Sequence, residues 1–121
     1  MPTKEGFQRI RNQLFNYMEQ MLKIKEEVVK ALKTVYDPEI PVNIYDLGLI
    51  YDIDVDELNN VRIDMTFTAP GCPLADFIME DVRQKVENIE EVRSALINLV
   101  FEPEWSQDRM SEEAKLELGL L

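Results

Sequence analysis

The chain has no histidine, one cysteine (Cys72) and one tryptophan (Trp105) among its 121 residues. Without imidazole there is no self-contained Ser–His or Cys–His catalysis and no zinc site built on histidine. A single cysteine forms no internal disulfide, so the fold needs no oxidising compartment. Nowhere is there a run of about 18 apolar residues, the length a membrane span requires. The first thirty residues carry charge throughout and show no signal-peptide block. Positive charge is also scarce: 13 Lys and Arg stand against 24 Asp and Glu, a formal net charge of −11. Such a field repels phosphate backbones and anionic headgroups, so neither nucleic acid nor a membrane surface is expected as a partner. The expected location is cytoplasmic.

What is present suits a small α+β domain. The 45% of hydrophobic residues is ordinary for a globular chain, and the length is enough to bury a core. Residues 4 to about 36 read as helix, with Thr3 as N-cap. Phe7, Ile10, Leu14, Tyr17, Met18 and Met21 recur at three- and four-residue steps, as do Ile24, Val28, Leu32 and Val35, but the stripe drifts in phase near Lys23. One bent helix or two both fit. Residues 1–22 read as a helical extension that packs on the body or on a second subunit, and 23–121 as the domain proper.

Asp37-Pro38-Glu39-Ile40-Pro41 stops the helix, because each proline lacks an N–H and holds its predecessor extended. Gly48 marks an unusual backbone angle or a close approach. Two alternating runs come next. Leu49, Tyr51, Ile53 and Val55 form one, and Val61, Ile63, Met65, Phe67 and Ala69 the other, which predicts a hairpin with one wet face. On this pattern Thr66 and Thr68 lie on the wet face. A helix from Pro73 to about Asn88, a third strand from Val92 to Phe101 and a tail with a short Ser111-capped helix ending at Gly119 complete the chain. The order helix, strand, strand, helix, strand predicts a small three-stranded mixed sheet with helices packed on one face.

One segment stands out chemically. Pro70-Gly71-Cys72-Pro73 joins a strand to a helix, and proline favours a first helical turn. This puts Cys72 at or next to the N-cap, where unpaired N–H groups and the helix dipole favour thiolate, the form that binds iron and soft metals. A small apolar packing role for Cys72 fits the residues equally well. Asp37 and Glu39 reach Cys72 only if their loop folds over the sheet end. Otherwise Asp37 caps a local turn and Glu39 is solvated. Trp105 either covers a site or anchors the tail.

Three stretches together resemble a known family: Asp37-Pro38-Glu39-Ile40-Pro41 through Asp46-Leu47-Gly48-Leu49-Ile50-Tyr51, Met65-Thr66-Phe67-Thr68-Ala69-Pro70-Gly71-Cys72-Pro73, and Trp105 with Arg109 to Gly119. They are similar, in this order, to the SufT/PaaD-like iron–sulfur assembly proteins, over residues 24 to 121. The resemblance implies an α/β fold and a role in iron–sulfur protein maturation rather than an enzymatic turnover. It implies that Cys72 faces the metal or cluster, that Asp37 and Glu39 are supporting or metal-ligating groups, and that Thr66 and Thr68 support the cysteine. It implies a transient iron–sulfur cluster or iron as cargo, and assembly machinery and apo client proteins as partners. A homodimer is expected too, since one thiolate supplies only one of the four protein ligands a cluster normally takes. Two alternatives carry less: a PaaD-like accessory subunit of a multicomponent oxygenase, whose further C-terminal cysteines are missing here, and a cysteine-dependent thiol enzyme, for which no base or resolving thiol is present.

Overall fold

The structure, a computed structural model, describes residues 3–69 and 71–121. Its elements run α1 (Lys4–Leu32), β1 (Ile50–Val55), β2 (Asn60–Met65), α2 (Ala75–Glu87), β3 (Ser94–Leu99), a 3-10 turn (Gln107–Arg109) and α3 (Glu112–Glu117). The sheet order is β1-β2-β3, antiparallel between β1 and β2 and parallel between β2 and β3. The mixed three-stranded α+β fold expected from the sequence is the one observed. The parallel pair needs a crossover, and α2 supplies it.

Helix α1 is a single 29-residue helix, neither broken nor doubled. Thr3 Oγ1 accepts from the Gly6 N–H at 3.1 Å, as a cap should. The helix stops at Leu32, four residues earlier than the periodicity suggests. Val35 N–H turns back to Leu32 C=O, and Tyr36 leaves the helix to form a bridge with Asn43. Only the second half of α1 enters the core, through Ile24, Val28 and Leu32. Phe7, Ile10, Leu14, Phe15, Met18 and Leu22 stay exposed. At 100° per residue the exposed set is centred roughly 70° round the helix from the buried set. That rotation is the phase drift seen in the sequence: the two halves face different things.

Helix α2 buries Ile78, Val82 and Val86 beside α1 on the same sheet face. Beneath them lie Val55, Val61, Ile63, Met65 and Ala95. The opposite face is polar. There Arg62 bridges Asp52 at 3.0 Å and Asp64 at 2.7 Å, and Asn98 donates to Asp64 at 3.2 Å.

The simple alternation fails in β1. The pairing register shifts between Ile50 and Asp52, so Ile50 lies opposite Met65 and Tyr51 is the extra residue of a bulge. A bulge re-aims a side chain. Tyr51 turns away from the core and its hydroxyl donates to Pro103 C=O at 2.8 Å, while the Arg109 guanidinium sits 4.4 Å over its ring.

The C-terminal tail is strapped to the loop before β1. Trp105 Nε1 donates to Leu47 C=O at 2.9 Å, and Ser111 N–H donates to Asp46 C=O at 2.8 Å. Between them sits Gly48, with φ +84°, where an added Cβ would lie 2.3 Å from Arg109 O. Both reasons for a glycine anticipated at this position therefore apply. Ser111 caps α3 through the Ala114 N–H, and Gly119 has φ +75°, as expected from the sequence.

Candidate functional site

Strand β2 ends at Met65, short of the predicted Ala69. Thr66 N–H still bonds Leu49 C=O at 2.8 Å, and the chain then leaves the sheet. Phe67 remains buried, so the departure is a change of direction and not an exit into solvent. Thr66 is 4% exposed, so the expectation that both threonines lie on a wet face holds only for Thr68. Thr66 shares a cavity with the tail residues Phe101, Glu102, Glu104 and Trp105, which the strand pattern alone does not bring to this end of the sheet.

Cys72 lies in the loop beyond, not at the helix start. The N-cap of α2 is Leu74, two residues further on, with no side-chain capping bond. The contact that Cys72 makes with the helix start comes from its backbone: Cys72 C=O accepts from the Ala75 N–H at 3.2 Å. Proline at position 73 sits in that turn and precedes the helix instead of opening it. Gly71 beside it has φ +75° with open space around it, so its left-handed backbone and not crowding favours glycine. Pro70, the first residue of the anticipated junction, lies outside the described residues. Cys72 itself is half-buried and touches the core on one side.

Its other side forms part of a cavity of about 520 Å³. Thr66, Phe67, Thr68 and Cys72 line it from the end of β2 and the loop beyond, and Leu99, Phe101 and Trp105 from the end of β3 and the tail. Two acidic residues of the tail, Glu102 and Glu104, line it as well. Trp105 therefore does both things the sequence allowed: it anchors the tail on Leu47 and it walls the cavity.

Asp37 and Glu39 are not among the cavity's lining residues. Asp37 Oδ1 accepts the Glu39 N–H at 3.0 Å, an Asx turn, and Glu39 is exposed. In the conformation seen, their loop does not close over Cys72. Among the described residues no group of three or more Cys, Asp or Glu side chains is placed to hold a metal ion. Glu102 and Glu104 do not stand out in the sequence. The signal that would have found them is the Glu102-Pro103-Glu104 triplet, which repeats the acid-proline-glutamate pattern of residues 37–39.

The recess thus brings together a thiol, two aromatic side chains beside Phe67, two hydroxyl-bearing residues and two acidic ones.

Comparison with known proteins agrees with the motif resemblance. Residues 25–97 match the family model described as iron–sulfur cluster assembly protein. A "Fe-S protein maturation auxiliary factor" of Porphyromonas gingivalis is 60% identical, over 84% of this chain and 97% of its own length. The factor YitW of Bacillus subtilis, with the same description, is 43% identical over 80% of this chain and 95% of its own. A crystal structure of a domain of unknown function, DUF59, from Bacillus anthracis superposes with a TM-score of 0.79 at 40% identity, covering 86% of this chain and 99% of that one. The chain belongs to the iron–sulfur cluster assembly protein family.

Proposed function

We propose that the protein is a non-enzymatic auxiliary factor of iron–sulfur protein maturation that receives iron or a cluster at Cys72 and passes it on. The observation that carries this is the position of its only cysteine, half-buried on the wall of a cavity that the chain's only tryptophan also lines. The descriptions of its relatives as maturation auxiliary factors support the same reading.

In this reading Cys72 acts as a thiolate toward the cargo. Thr66 and Thr68 offer hydroxyls to a sulfide or thiolate held there. Because a cluster normally takes four protein ligands, the remainder come from the assembly machinery, an apo client or a small thiol. That requirement favours transient carriage over stable storage. Asp37 and Glu39 are proposed as oxygen ligands or docking groups that engage when a partner brings their loop to the cavity. We place this activity in the cytoplasm, where the lone thiol stays reduced. No helix among the described residues is long and apolar enough to cross a membrane.

The test is complementation. In cells lacking the protein, Cys72→Ala should fail to restore the activity of iron–sulfur client enzymes, although the variant accumulates and melts like the wild type. Full restoration by Cys72→Ala would refute the proposal. Glu39→Gln, on the exposed loop, should fold normally and lower client activity by a smaller factor.

A further inference from the structure

Helix α1 extends five turns beyond the core, and nothing in the described chain covers the apolar stripe on that extension. Phe7, Ile10, Leu14, Phe15, Met18 and Leu22 are each between 57% and 66% exposed. Isolated helices are marginal in water, and an apolar stripe stabilises one only when it is covered. We infer that the stripe pairs with the same stripe of a second copy, antiparallel, with the helices crossing between Leu14 and Phe15.

Three observations favour this occupant and this orientation. The first is area. Six large side chains about three-fifths exposed offer roughly 600 Å² per copy, near the ~800 Å² per partner of a standard interface before flanking stems are added. The second is Arg11, which lies within the stripe beside Leu14, Phe15 and Met18. A parallel, in-register pair would put the two Arg11 guanidinium groups together on the seam. Antiparallel pairing about Leu14 and Phe15 sets each Arg11 opposite the partner's Met18 and one residue from the partner's Glu19, an opposite charge.

The third is the distribution of charge. Residues 1–22 hold three basic and two acidic side chains, a net +1, so with −11 overall the remainder carries −12. Antiparallel pairing places the two acidic bodies at opposite ends of a paired segment roughly 30 Å long, several Debye lengths at physiological salt. Parallel pairing would set them side by side. The same net charge disfavours an anionic membrane as the occupant. This inference holds whether or not Cys72 carries a cluster, and its test contains no metal.

The experiment is light scattering on the full chain at micromolar concentration without iron. The expected mass is twice the 14.2 kDa of one chain. Leu14→Glu with Met18→Glu should give the single-chain mass, with the thermal melt of the body unchanged. Arg11→Glu alone and Glu19→Arg alone should each raise the dimer dissociation constant several-fold, and the two together should restore it. A wild-type monomer, or a dimer that survives Leu14→Glu with Met18→Glu, overturns the pairing. Single and double charge variants that weaken the dimer alike overturn the antiparallel register. Co-sedimentation of a monomer with phosphatidylserine vesicles would give the stripe to a membrane instead.

Discussion

The chain carries the pattern acid-proline-glutamate twice, at residues 37–39 and 102–104, and the fold uses the two copies differently. Asp37 spends an oxygen on the local Glu39 N–H, and Glu39 points into solvent. Glu102 and Glu104 line the cavity that holds Cys72. The difference lies just downstream of each segment. After Glu104, Trp105 hooks onto Leu47 and Arg109 packs on Gly48, which hold the second segment over the sheet end. The Asp37–Glu39 loop is held at its base, where Val35 and Ile44 are buried and Tyr36 bridges Asn43, but among the described residues no distant segment is hydrogen-bonded across its tip. Local sequence alone does not tell a strapped acidic segment from a free one. The long-range anchor does.

The largest expected effect comes from breaking that anchor. Gly48→Ala forces a side chain into a left-handed backbone and into Arg109 O, and should cost about 3 kcal/mol or more. Thermal denaturation checks the loss, and limited proteolysis should show the tail cut first. Trp105→Ala removes the hook without the backbone clash and should cost on the order of 2 kcal/mol, read by urea denaturation. Asp37→Ala, at the segment without a strap, removes one turn-stabilising bond and should cost only about 1 kcal/mol in the same assay. Equal losses for Trp105→Ala and Asp37→Ala would erase the distinction between the two segments.

Reagent charge sharpens the comparison at the thiol. Glu102 and Glu104 share the cavity with Cys72, so they should slow alkylation by anionic iodoacetate relative to neutral iodoacetamide. Glu102→Gln with Glu104→Gln should raise the iodoacetate-to-iodoacetamide rate ratio roughly two- to fivefold at low salt. Asp37→Asn with Glu39→Gln should move that ratio less. A larger shift from the first segment would mean that its loop visits the cavity in solution.

The smallest expected effect concerns α2, which carries the chain away from Cys72. Arg83 bonds both Glu80 and Glu87, and its hydrogen bond to Glu80, with help from Gln84, lowers the Glu80 carboxyl from 4.5 to about 2. A depressed carboxyl pKa contributes stability that is complete above the unfolded value and lost as pH falls through the folded one. Stability should therefore decline between about pH 4.5 and pH 2, and Glu80→Gln should flatten that part of the acid-denaturation profile.

Much of this architecture was legible because it rests on local chemistry. Thr3 and Ser111 cap helices, Gly48 and Gly119 have positive φ, and the alternation Val61, Ile63, Met65 lines the core, all as residue type and spacing indicate. Two of the departures accompany contacts distant in sequence: the bulge at Tyr51 is tied to Pro103 and Arg109, and Thr66 shares a cavity with the tail. The delayed start of α2 is local, a turn in which Cys72 C=O accepts from the Ala75 N–H. Cys72 stands out in the sequence as a single thiol near a helix start. The structure moves it two residues from the cap and gives it a cavity instead, with glutamates 30 and 32 residues downstream that no local pattern connects to it.

Whether Cys72 is where the cargo binds is decided by anaerobic incubation of wild type and Cys72→Ala with iron and sulfide, followed by metal analysis and absorbance. Thiolate-to-iron absorption and bound iron are expected in the wild type, both lost in a Cys72→Ala protein with an unchanged thermal melt. Equal iron content and superimposable spectra in the two proteins would contradict cargo binding at this thiol.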